Sequence, residues 1–239
     1  LYLKLGATLI DSHTFPNILR TPGYPFFIAS LYAVFGKFSQ AVLFSQALID
    51  SATAVIIALL FFRIFQNIKY AFLAGVIYSV NPFAIFYANM LLTETLFSFI
   101  FLSAVSFFFF FLQGEGKRKL ALSSVLLGIG ALCRPISFFI PLLFMPFIFF
   151  TERKLKDKLI SCTLFILLYA MVLLPWYVRN DHVYGQWTLS TAGKFNVFVN
   201  FAPEVLMGKD NLFSLITINV NELVRPYQAK MWQIAKSKY

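Results

Sequence analysis

Acidic residues are scarce in this chain, and between Asp50 and Glu115 a single carboxylate, Glu94, stands in largely apolar sequence. Charged residues of both signs make up 13% of the 239 positions, about half the usage of an ordinary soluble domain. Hydrophobic residues make up 59% and lie in long runs, which excludes a soluble core and indicates a polytopic membrane protein. Cysteine occurs only at Cys133 and Cys162, both inside apolar runs. They make neither a metal-ligand spacing nor an evident pair, and read as small buried hydrophobes. The two histidines, His13 and His182, lie far apart and form no ligand spacing either. Residues 1–37 lack the basic flank and apolar core of a signal peptide, and the chain reads as a fragment of a longer membrane protein. No internal repeat is evident in its hydropathy or its helix breaks.

What is abundant is basic charge, and its placement is informative. The net charge is +10, and nine of the twenty basic residues fall in three short loops, 63–69, 114–119 and 152–158. Clustering of that kind between apolar runs is the positive-inside pattern. A nucleic-acid partner would need a continuous basic face with interleaved aromatics on a soluble surface, and none is present.

Three regions follow. Residues 1–36 read as a first non-cytoplasmic loop with interfacial helices, residues 37–176 as a transmembrane helix bundle, and residues 177–239 as a truncated non-cytoplasmic segment. Residues 1–10 form an amphipathic stretch too short to span, residues 11–22 a turn-rich loop, and Arg20-Thr21-Pro22-Gly23-Tyr24-Pro25 a rigid turn leading into a short apolar helix. Spans are predicted over 38–62, over 70–88 with a break at Asn81-Pro82, and over 95–113. The run 120–150 is too long for one span and short for two. Reading it as a hairpin with its tip at Arg134-Pro135 keeps all three basic loops on one side. A last span over 159–176 brings the total to about six.

On this topology Arg20, Glu94, Arg134 and Arg179 converge at the non-cytoplasmic face. Planar guanidinium forks suit phosphate, and a carboxylate beside them suits acid–base work or metal binding. An intramembrane ionisable group is a functional-site hypothesis by default. The combination points to an amphiphilic substrate with a phosphate head group.

The ordered set RTPGYPFF, LLTETLF, LGIGALCRP and LLPWYVRN resembles the GT-C membrane glycosyltransferases. Within that class it is similar to bacterial relatives of the dolichyl-phosphate-mannose protein mannosyltransferases and of the lipid A aminoarabinose transferase. The resemblance implies an all-α, GT-C-like bundle in a bacterial or archaeal plasma membrane. It also implies transfer of a sugar from a polyprenyl-phosphate donor to a protein, lipid or glycan acceptor. The main catalytic Asp is expected about one helical turn upstream of Tyr2, outside this chain. Glu94 matches the family's second acidic position. Arg134 matches a basic position, and Arg20 falls where some relatives place an acidic–Lys pair near the donor phosphate or a metal. Arg20, Arg134 and Arg179 are thus expected at the donor phosphate, and Tyr2 and Tyr24 at the substrate cavity. No residue is assigned as a metal ligand and no cofactor is required, although a divalent metal stays open.

Each residue also has a plainer reading. Glu94 could serve the first turn of its helix beside Thr93, while Arg134, Arg20 and Arg179 could be interfacial anchors. Tyr24, Trp176 and Tyr177 could be belt aromatics. Asp50 could be satisfied by Ser45 and Ser51, or by a helix outside this chain. The Phe run 107–111 reads as lipid-facing or core filler. The rival function is a secondary transporter or lipid flippase in which Glu94 and Asp50 relay protons, since Pro-interrupted helices fit that architecture too. A noncatalytic membrane scaffold is the third reading.

Overall fold

A computed structural model describes residues 1–151 and 154–192, and every regular element among them is helical. In chain order these are α1 (Tyr2–Ser12), α2 (Gly23–Phe35), α3 (Ser39–Phe65), α4 (Ile68–Ser79), α5 (Pro82–Ala88), α6 (Glu94–Leu112), α7 (Lys117–Cys133), a 3-10 turn (Pro135–Phe139), α8 (Ile140–Thr151) and α9 (Leu155–Tyr184). The breaks lie where local chemistry demands them. Gln66 turns left-handed to end α3, and its N–H bonds back to the Phe62 carbonyl. Asn67 then caps α4 by accepting from the Lys69 N–H at 2.9 Å. Asn81 does the same for α5, accepting from the Phe83 N–H at 2.9 Å with Pro82 at the first helical position. The two helices meet at 56°, as the Asn81-Pro82 break predicts.

Two compact units are distinguished. The first comprises Leu1–Pro16 and Thr21–Leu189, and the second Asn17–Arg20 with Ser190–Tyr239. Within the first, α7 packs against both α6 and α9. A Cβ added to Gly128 would lie 2.8 Å from Val172 Cβ, so glycine is what lets α7 and α9 approach. Phe108 sits 4.4 Å from Phe144, ring centre to ring centre, and beside Phe165. With Phe111 also buried, part of the Phe run is core. By contrast α3 and α4 pair with each other and leave Phe44, Leu48, Val55, Leu59, Phe72 and Ile77 exposed. So wide an apolar face needs lipid or further protein to cover it.

The bundle has a charged end. Arg63 pairs with Glu115 at 3.2 Å, Lys119 with Glu115 at 3.6 Å, and Lys117 with Asp157 at 3.3 Å. These pairs draw the three basic loops together at one end, the arrangement expected of a hairpin over 120–150. Glu94 starts α6 at the other end, about 27 Å from its last residue at 1.5 Å per residue.

The expected number of spans needs correction. Among the described residues α3, α6 and α9 are long and apolar enough to cross a membrane, and the bent pair α4–α5 makes a fourth if counted as one. The two arms of the hairpin do not qualify. Helix α7 has 17 residues and opens on Lys117-Arg118-Lys119, and the 3-10 turn with α8 covers only residues 135–151. At about 1.5 Å per residue neither reaches the roughly 30 Å of a hydrocarbon core. Two boundaries also move. Helix α1 runs on through Asp11 and Ser12, where a loop is predicted, and Asp11 pairs with Lys37 at 2.6 Å. Residues 177–184 continue α9 past the expected end of its span.

In the second unit, two distant stretches of chain meet. Thr191 N–H donates to the Ile18 carbonyl at 3.1 Å, and the Ser190 hydroxyl to the Leu19 carbonyl at 2.6 Å. Most of the predicted outer segment, residues 193–239, lies outside the described residues.

Candidate functional site

Glu94 occupies the first turn of α6, and its carboxylate is held from two sides. Arg134 Nη1 lies 2.9 Å from Oε1, and the Thr93 hydroxyl donates to Oε2 at 3.2 Å. Both charged side chains are about one-third exposed, 27% for Glu94 and 34% for Arg134. The two residues come together from elements 40 positions apart because α6 and α7 run side by side and both end at this level.

Arg134 is placed by its neighbours in sequence. Pro135 forces the residue before it out of the helical region, and Arg134 is extended at φ −137°, ψ 109°. Its carbonyl accepts from the Ser137 hydroxyl at 2.8 Å, and its N–H donates to the Gly130 carbonyl at 2.9 Å. The guanidinium carbon sits 5.8 Å from the Phe97 ring centre. The rigid turn before α2 then fixes this end of α7. Buried Thr21 donates to the Cys133 carbonyl at 3.1 Å, and a Cβ on Gly23 would come within 2.6 Å of Cys133 Sγ.

The loop delivering Glu94 is held from α3. Gln46, fully buried, donates to the Ala88 and Met90 carbonyls at 3.2 and 2.7 Å. Its own Oε1 accepts from the Tyr24 hydroxyl. Burial pushes the Tyr24 phenol well above its ordinary range, with Tyr2 and the Glu94 charge adding to it. The hydroxyl therefore stays a neutral donor. Tyr24 has no exposed surface and packs edge-on against Tyr2 at 5.0 Å. Sequence reasoning missed Gln46. The signal was an amide set in an apolar helix, but nothing in the sequence says which carbonyls it meets.

Beside Glu94 lies a cavity of about 190 Å³ between α3, the α4–α5 break and α6, with Asp50, Tyr78, Asn81, Tyr87, Glu94 and Ser98 among its walls. Asp50 accepts from the Tyr78 hydroxyl at 2.8 Å. Of the two predicted serine partners, Ser51 donates instead to the Ala47 carbonyl at 2.9 Å along its own helix, and Ser45 makes no hydrogen bond to Asp50 among the described residues. A serine in a helix reaches its own i−4 carbonyl more readily than a neighbouring carboxylate.

The remaining predicted residues make contacts of their own. Arg179 donates to the Phe15 carbonyl and to Asn180 Oδ1, the latter at 2.8 Å. Its guanidinium stacks 4.8 Å from Trp176 and 5.0 Å from Tyr184, ring centre to charge. Arg20 belongs to the second unit, is exposed, and donates its N–H to Asn17 Oδ1 at 3.0 Å. Among the described residues no group of three or more His, Cys, Asp or Glu side chains gathers closely enough to hold a metal ion.

A carboxylate locked to a guanidinium at the mouth of a helical bundle, with a polar cavity beneath it, is suited to a phosphate-bearing substrate. The sequence model of the dolichyl-phosphate-mannose-protein mannosyltransferases matches residues 19–176. The chain belongs to this family. Its members are GT-C membrane glycosyltransferases, so the implied activity is sugar transfer of the mannosyltransferase type. No curated protein and no solved structure matches the chain. Arg20, Tyr24, Glu94 and Arg134 fall within the matched residues, whereas Tyr2 and Arg179 fall outside them.

Proposed function

We propose that this chain is part of a transferase that moves a sugar from a polyprenyl-phosphate donor to an acceptor hydroxyl at the non-cytoplasmic face. The Glu94–Arg134 pair carries the reading. It lies at the end of the bundle opposite the ion-paired basic loops, where the charge rule would put the outer face.

In the reaction the acceptor oxygen attacks the anomeric carbon and loses its proton to a base. The bond from that carbon to the phosphate oxygen breaks, and polyprenyl phosphate departs with the electron pair. Charge therefore builds on the leaving oxygen, and a fixed guanidinium stabilises it. Arg134 is the group we assign to that role. One Glu94 contact uses only part of Arg134's five-donor capacity. The base is assigned to an Asp expected about one helical turn before Tyr2. Glu94 orients Arg134 and the acceptor. Tyr24, being buried, acts by holding Gln46 and through it the loop before α6.

Glu94→Gln in the full-length protein tests this directly. Expression and membrane insertion should persist while transfer from polyprenyl-phosphate mannose in isolated membranes falls by about 10²-fold or more. Transfer at the wild-type rate would remove Glu94 from the mechanism.

One observation favours the rival transporter, because Asp50 and Glu94 do line a common cavity. Proton-coupled uptake into proteoliposomes, abolished by Asp50→Asn and unaccompanied by sugar transfer, would support that reading instead.

A further inference from the structure

The cavity below Glu94 is more polar than membrane packing requires. Asp50 stands near the middle of the 27-residue, largely apolar helix α3, where an ionisable side chain is costly and marks a functional position. Its partner Tyr78 comes from the last turn of α4, Asn81 from the break that follows, and Tyr87 from α5. The break between α4 and α5 therefore opens a space that an unbroken helix would fill. Thr95 also lines this space, and its buried hydroxyl has no partner among the described residues. A buried polar atom left unpaired is costly unless a ligand or water completes it.

The chemistry of the walls defines what would fit. The space equals about six water molecules at ~30 Å³ each and is smaller than the roughly 300 Å³ at which drug-sized sites begin. One six-membered sugar ring fits that size. Two carboxylates accept hydrogen bonds, phenol and hydroxyl groups both donate and accept, and Phe83 and Tyr87 offer aromatic faces. Vicinal hydroxyls on an otherwise apolar ring need that mixture. A lipid tail would leave the acceptor sites that Tyr78, Arg134 and Thr93 do not fill, and the Thr95 hydroxyl, without partners, and a phosphate would be repelled by the carboxylates.

We propose that this cavity receives the sugar ring of the donor, with Asp50 and Tyr78 reading its hydroxyls, so that Asp50 determines which sugar is transferred. The inference rests on the transferase reading above. It places the sugar on the carboxylate side of Glu94 and leaves the phosphate to Arg134. Tyr78 fixes the Asp50 carboxylate in one orientation, as a specificity-determining group must be fixed.

The test uses the full-length protein in native membranes with polyprenyl-phosphate mannose and donors lacking single hydroxyls at C2, C3, C4 or C6. The wild-type protein should prefer the parent sugar over at least one deoxy donor by roughly 10- to 100-fold in kcat/KM, the cost of unpairing a charged acceptor. Asp50→Asn should collapse that one ratio toward unity, mainly through a raised KM for the parent donor. Tyr78→Phe, which removes only an oxygen, should narrow the same ratio without loss of expression. Ratios unchanged in both variants would overturn the inference while leaving the transferase reading intact. A uniform fall in kcat for every donor with a shifted pH profile would also overturn it, because it marks a proton relay. Absence of transfer from every donor by the wild-type protein would overturn the transferase reading, and this inference with it.

Discussion

Arg134 reaches across from the end of α7 to the start of α6 and meets Glu94 at 2.9 Å. Each residue sits where a helix is interrupted, Arg134 by Pro135 and Glu94 by the loop that Gln46 holds. The pair is thus clamped from behind by backbone and remains partly open in front.

Replacing Arg134 separates catalysis from folding. Half-open ion pairs contribute about 1 kcal/mol or less to stability, so Arg134→Met should barely move the melting temperature in detergent. Sugar transfer should fall by about 10²-fold or more, because charge on the leaving phosphate loses its counterpart. Arg134→Lys should recover part of the rate but not the bidentate geometry. A loss of folded protein matching the loss of activity would make the pair a structural feature only.

Gln46→Leu removes two donors to the Ala88 and Met90 carbonyls from a fully buried site. We expect about 2–3 kcal/mol of destabilisation, and transfer per folded molecule should fall as the loop before Glu94 loosens. Tyr24→Phe should cost only about 1 kcal/mol. Thermal unfolding and transfer rates of the two variants decide the order.

Tyr24 also makes an alkaline prediction. Its folded value is raised by burial, so its stabilising share is complete below the unfolded value of about 10 and declines as pH rises above it. The stability difference between wild type and Tyr24→Phe should therefore be constant at neutral pH and shrink on the alkaline side. Denaturation followed at pH 8 and above would show a parallel offset instead if the phenol were not protected.

Two glycines in the same helix-end region should respond oppositely. A Cβ on Gly23 meets Cys133 Sγ at 2.6 Å and the Leu132 carbonyl carbon at 2.8 Å, so Gly23→Ala should destabilise by roughly 1–3 kcal/mol. At Gly130 the nearest atom would be Phe97 Cε2 at 3.5 Å, an ordinary contact. Gly130→Ala inside α7 should be neutral or stabilising by about 0.5–1 kcal/mol. Melting temperatures of the two purified variants, moving in the same direction, would contradict this packing.

Arg179 is expected to behave as a packing residue. Its guanidinium is satisfied by Phe15 and Asn180 and stacked between Trp176 and Tyr184. Arg179→Met should lower stability by about 1–2 kcal/mol while transfer per folded molecule stays near wild type. A selective rise in donor KM would instead return it to the phosphate site.

Much of the architecture was legible in the sequence because it depends on local rules. Apolar runs of membrane length mark α3, α6 and α9. Asn81-Pro82 and Arg134-Pro135 mark the breaks, since proline's missing N–H and its clash with the preceding residue act within one turn. The isolation of Glu94 marked it for attention, and the clustering of basic loops implied the hairpin that aligns Arg134 with it. Tertiary structure alone decided the partners. Which carbonyls Gln46 holds, that Asp50 meets Tyr78 and not a serine, and that Arg179 turns into an aromatic cradle all follow from how the helices pack and rotate against one another. A helix of period 3.6 presents residues on every side, and close approaches such as those at Gly6, Gly23 and Gly128 help select which of them meet a neighbour. Sequence therefore determined where the chain bends and where its charges are rare, while packing determined what those charges touch.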